Sequence, residues 1–185
     1  MQTYTHLPIA IPKLFKSIVS EVATNLNRNV TFKHGTWLHL MKLCADDKSS
    51  VASVKNNLYP LVMLIHEFEE KRANGILTTS LDFVIVTPTD PTLSFEDRYT
   101  PNVLPILYPI YAEFMAVVKN SNYFIGNIER EFNHTKIDAL NIGTNDANGN
   151  VAYKLPDYLD GLIIKSLELT INEQQCTTDL NNNFN

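Results

Sequence analysis

Charge, cysteine and catalytic signatures are what this sequence has least of. Only 19% of its 185 residues are charged, and the net charge is −5. With no Lys/Arg cluster beyond Glu70-Lys71-Arg72, a direct grip on nucleic acid is excluded as the main role, because phosphate binding needs a basic footprint. The two cysteines, Cys44 and Cys176, lack metal-type spacing and are read as reduced structural thiols. No His-Glu-x-x-His, nucleophile-elbow, phosphate-loop or dinucleotide fingerprint occurs. Residues Met1–Pro8 have no charged start leading into an apolar run, and no segment reads as the roughly 18 apolar residues that span a bilayer. The expectation is a soluble protein made inside a cell.

What is present is apolar pattern. Hydrophobic residues make up 44% of the chain, enough to order most of its length. So little charge fits either a Thr- and Asn-rich surface or a surface covered by partners, and the second is preferred. Val103, Leu107, Ile110, Tyr111, Phe114 and Val118 keep helical spacing through Pro101, Pro105 and Pro109. That pattern predicts a buried helix from about Ser94 to Asn120, which the prolines start or bend. Ile11, Leu14, Phe15, Ile18, Val19, Val22 and Leu26 predict another, with Pro12 in its opening turn. Residues 29–34 read as a strand or extended link closed by Gly35, and Trp37 to Ala45 as a second helix or helical turn.

Leu58 to Phe68 is continuously apolar, as in a strand covered on both faces, with Tyr59-Pro60 at its entry. It pairs with Ile76–Thr87 as an antiparallel hairpin, whose charged loop, Glu69 to Gly75, projects into solvent or toward a neighbour. Tyr123–Gly126 and Phe132–Gly143 read as extended, and Thr144–Asn150 as a loop. Leu162–Ile171 reads as a terminal strand that alternates from Leu167 onward. The reading is a single α+β domain over residues 1–171, with an antiparallel or mixed sheet of about four strands on two or three helices. Residues 172–185 form a tail with too little apolar surface to order itself until bound.

Titratable groups are scattered. His34, His39 and Cys44 do not stack on one helical face, so they are read as structural and not as metal ligands. His66-Glu67 and the His134/Asp138 pair are read as strand-end composition. Asp157 and Asp160, with Asp146, lack calcium-loop spacing and are read as turn and capping carboxylates. Glu96-Asp97-Arg98 is read as a local charge cluster at a helix entry, in preference to an Arg98 that reaches a neighbouring subunit. No catalytic, cofactor or metal residue is assigned.

The order of Phe32-Lys-His-Gly, Leu58-Tyr-Pro-Leu-Val-Met-Leu, a Val-Ile-Val-Thr strand, Arg98 before Val103–Phe114, and Asp160-Gly-Leu-Ile-Ile resembles structural proteins of tailed bacteriophages. The likeness is to small neck proteins of crAss-like phages infecting Bacteroides, of the tail-terminator or tail-completion class. The resemblance implies a tail-terminator-like fold and a non-enzymatic virion protein, made in the host bacterial cytoplasm. It also implies a homo-oligomeric ring joining portal, other neck and tail proteins, with DNA passing through without sequence-specific contact and no membrane involved. Interface candidates are Glu69, Glu70, Arg72, Asn74, Arg98, Tyr99, Leu180 and Phe184. The alternatives are a small intracellular enzyme or ligand-binding domain with a pocket near His66, His134 and Asp160, and a monomeric protein-binding adaptor.

Overall fold

The computed structural model describes residues 10–46, 58–90, 92–125, 132–139 and 159–172. In chain order the elements are α1 (Ile11–Asn25), β1 (Thr31–Gly35), α2 (Trp37–Asp46), β2 (Leu61–Ile65), β3 (Glu70–Ala73) and β4 (Ile76–Pro88). There follow α3 (Phe95–Arg98), a π-helical segment (Tyr99–Leu107), α4 (Tyr108–Asn120), β5 (Thr135–Ala139) and β6 (Leu159–Asn172). The α+β class and mixed sheet agree with the sequence reading. The sheet has six strands instead of about four, in the order β1-β2-β4-β6-β5 with β3 on the free part of β4.

The spine of the sheet is the long antiparallel pair β4 and β6, in register from Ile76↔Asn172 to Pro88↔Leu159. β2 pairs with the half of β4 nearer its C-terminal end. The polar segment Glu70–Ala73, expected as part of a loop, is instead a strand on the other half. Asn74 and Gly75, at φ 53° and 75°, join it to β4 through a two-residue turn with both residues left-handed, which matches the twist of the flanking strands. β1 lies parallel to β2, and Tyr59–Pro60 is a cis peptide at the β2 entry.

β6 changes parity in mid-strand. Leu162 and Ile164 face the same core as Leu167, Leu169 and Ile171, which strict alternation forbids. The register slips between Leu81↔Leu167 and Phe83↔Ile164, so two β6 residues oppose Asp82. Ser166 takes φ 55° there, and its N–H donates to Asp82 Oδ1 at 2.8 Å. This β-bulge keeps both halves of β6 pointed inward.

α1 and α4 cover one face of the sheet. α1 buries Ile11, Leu14, Phe15, Ile18, Val19 and Val22, the predicted stripe. It ends with Asn27 at φ 46°, where Asn27 N–H bonds Thr24 O and Arg28 N–H bonds Ala23 O, a Schellman closure. Phe15, Phe83 and Phe114 meet in the middle, with ring centroids 4.7 to 6.0 Å apart. The second face carries a smaller core in which Leu40 of α2 meets Tyr59, Leu61, Met63, Val84, Val86 and Leu159. β2 lies between the two cores, hence the burial of all its residues.

The proline-rich helix is not uniform. Pro105 has no N–H to donate and its ring crowds the preceding turn, and the chain widens into a π-helical stretch in which Tyr108 N–H reaches Val103 O. Arg28 Nη1 donates to Pro105 O at 2.9 Å, which satisfies a carbonyl exposed by the widening. Contrary to the sequence expectation, Phe95–Asn120 is by length and composition apolar enough to cross a membrane. In this fold Val103, Leu107, Ile110, Phe114, Val117 and Val118 pack into the core.

Candidate functional surfaces

The interface candidates on the hairpin were expected in a projecting loop, but Glu70 and Arg72 lie on strand β3 and only Asn74 lies in the turn. β3 is exposed at every position, and Arg72 Nη2 pairs with Glu70 Oε2 at 2.6 Å. Glu69 is anchored through its carbonyl, which accepts from Thr79 Oγ1 at 2.8 Å, and Asn74 forms the exposed turn. Leu180 and Phe184 lie outside the described residues, as do Cys176, Asp146 and Asp157.

Arg98 is placed differently. It is 3% exposed and lies inside the fold, so it is not a surface residue. Its Nη1 stands 3.5 Å from Asp160 Oδ1, and its Nε reaches Ser94 O at 3.4 Å. Asn102 Nδ2 donates to Asp160 Oδ2 at 3.1 Å and to Thr89 Oγ1 at 2.9 Å. Asp160 is therefore not a turn or capping carboxylate. It is a fully buried β6 residue that fastens the helix entry to the sheet, as a buried charge requires a partner. The capping role falls to Ser94, whose Oγ accepts the Asp97 N–H at 3.2 Å.

Tyr99 joins a chain of polar contacts that no sequence motif signals. Tyr99 Oη donates to Tyr108 Oη at 2.8 Å, and Tyr108 Oη donates to Asp138 Oδ2 at 2.8 Å. Lys136 Nζ lies 2.5 Å from Asp138 Oδ1 and 4.3 Å from the Tyr108 ring centroid. Hydrogen bonds to Tyr99 and then Asp138, with burial, push the Tyr108 phenol up to about 12. Burial alone would raise Asp138, but the bonds from Lys136 and Tyr108 outweigh it and hold the carboxyl below its usual range. This arrangement clasps β5 to α4. One turn along, Tyr111 Oη and His134 Nε2 are 2.7 Å apart, and His134 Nδ1 stands 2.7 Å from Phe132 O.

The histidines at the other edge also have close partners. His39 Nδ1 lies 3.2 Å from the Thr36 N–H and 3.1 Å from Thr36 Oγ1, doing at the start of α2 what Glu does in a capping box. His34 Nδ1 and His66 Nε2 are 2.8 Å apart, with ring centroids 4.9 Å apart and planes inclined by 25°. One of the two nitrogens carries the proton that the other accepts. Burial first, then the charges of His66 and His39, lower the pKa of His34. Among the described residues no group of three His, Cys, Asp or Glu side chains could hold a metal ion.

Two open depressions adjoin the hairpin half of the sheet. The larger, about 760 Å³, is lined by Phe68, Thr78, Ile125, Phe132 and Glu168 among others. The smaller has His134 in its wall together with Ser166 and Glu168, and neither His66 nor Asp160. Neither depression gathers His66, His134 and Asp160. No protein-family model matches the chain, and no curated protein matches it.

Proposed function

We propose that the chain is a non-enzymatic virion protein of a tailed phage: a ring-forming subunit of the head–tail neck, tail-terminator-like, that joins portal to tail and lets DNA pass. The motif order of the sequence suggests this role, and one structural observation supports it above the others. β4 runs without a break from the core residues Phe83–Val86 to the turn at Asn74-Gly75, backed along its whole length by β6. The result is a continuous two-stranded spine, buried on its inner face through Leu77, Leu167, Leu169 and Ile171, whose flanking strand β3 offers Glu70, Lys71 and Arg72 to the surroundings. An exposed charged strand on a rigid backing suits contact with neighbouring chains, and copies joined by a rotation that closes make a ring. The net charge of −5 suits a channel that does not hold phosphate.

The test is mass spectrometry of purified particles combined with electron microscopy of the necks. The expected result is the chain at the copy number of one ring, with density at the portal–tail junction. Its absence from intact particles, or turnover of a metabolite by the purified chain, refutes the reading.

A further inference from the structure

Two edge strands of the sheet, β1 and β5, match each other, and β3, paired with β4 alone, is a third edge. Among the described residues no strand lies beyond β1 or beyond β5, and each is five residues long. On β1 the Thr31 N–H and the Gly35 carbonyl bond toward the β2 side. In a parallel ladder the alternate residues then turn their N–H and C=O the other way, which directs those of Phe32 and His34 outward. Bare edges of this kind are templates for pairing with another chain.

Direction is compatible as well. β1 runs with β2, β2 against β4, β4 against β6, and β6 against β5, so β1 and β5 run oppositely. When one copy is laid beside another by a modest rotation, β1 of the first meets β5 of the second antiparallel. The pairing also preserves faces. Phe32 and His34 lie opposite Val62 and Leu64 on the α1 face, while Lys136 and Asp138 lie opposite Ile164 and Leu162 on that same face. β1 carries Lys33 and His34, and β5 carries Lys136 ion-paired with the half-exposed Asp138, so no excess of like charge faces the seam.

Exposed apolar side chains border both edges on the opposite face. Ile137 of β5 is 37% exposed and pairs with Ile163 of the second core. Trp37 and Leu38, at the start of the helix that covers this face next to β1, are 37% and 52% exposed. Joining the edges would bring these apolar groups to the same seam and remove them from water.

We propose that a second copy of this chain occupies the β1 edge through its β5, in head-to-tail contacts that repeat around the ring. This deepens the neck reading and takes the existence of a ring from it. The test uses the full chain with Cys44 and Cys176 replaced by serine, carrying Lys33→Cys, Ile137→Cys or both, with a short bismaleimide cross-linker. It is applied to the purified chain and to phage particles carrying the variant. The double variant is expected to give a covalent ladder of dimers, trimers and higher species, and each single variant to stay monomeric on a denaturing gel. Thermal unfolding of the uncross-linked variants serves as the folding control.

Rings without a ladder, or dimers from a single-cysteine variant, overturn the edge pairing and leave the neck reading intact. A chain that stays uncross-linked in both solution and particles overturns the pairing too. A ladder from a chain absent from particles upholds the pairing and refutes the neck role.

Discussion

At the scale of single residues, backbone room and proton sharing decide most of what the polar side chains do. Gly35 sits at φ +156°, and a Cβ there would lie 2.9 Å from His39 Cβ, so the capping histidine closes only over a glycine. Gly35→Ala is expected to cost about 1–3 kcal/mol through overpacking, measured as a lower urea midpoint at unchanged m-value. The His34–His66 bond needs one nitrogen bare. The pKa of His34 is below the ordinary 6.5 in the folded state, so on acidification the unfolded chain binds its proton first. The contribution of neutral His34 is therefore full above 6.5, falls as pH drops through that value, and is gone below the folded pKa. Urea midpoints measured from pH 8 to 5 should show this slope, and His34→Asn should flatten it. An unchanged slope would mean that another group is responsible.

At the scale of elements, strands and helices with an apolar period were legible in the sequence, and those held by pairing alone were not. α1, β2, β4 and the alternating half of β6 from Leu167 to Ile171 follow from residue spacing. β3 does not, because Glu70–Ala73 carries no buried residue and is a strand only since the Asn74-Gly75 turn folds it onto β4. The spacing of the proline-rich helix predicted its core face but not its widening at Pro105, which depends on a missing donor. The β6 bulge explains why alternation was clear only from Leu167 onward. Asp82→Ala removes the acceptor for the Ser166 N–H and is expected to cost about 1.5–3 kcal/mol, as for hydrogen bonds to charged groups. Chemical denaturation reads the loss, and amide exchange should quicken at residues 164–167 before the rest of β6.

At the scale of the whole molecule, one face of the sheet depends on the Phe15–Phe83–Phe114 cluster. Phe83 is fully buried at its centre, and Phe83→Ala is expected to cost about 3–5 kcal/mol, read as a large fall in melting temperature. The helix entry and the sheet are joined by the buried Arg98–Asp160 pair. Asp160→Ala leaves the Arg98 charge buried and should cost about 3–5 kcal/mol, while Arg98→Met with Asp160→Leu should cost less. A double-mutant cycle measures the difference, and additive losses would show that the pair is not coupled.

The sequence by itself determined the class of fold, the faces of α1 and the proline-rich helix, and the apolar runs of β2 and β4, because these depend on residues a few positions apart. Tertiary structure alone decided that Arg98 goes inward, that Asp160 meets it 62 residues on, and that Tyr108 clasps Asp138 across 30 residues. Local period carries no information about such pairings. They arise only when the packed helices and sheet exclude water and each buried polar group must find a partner within reach.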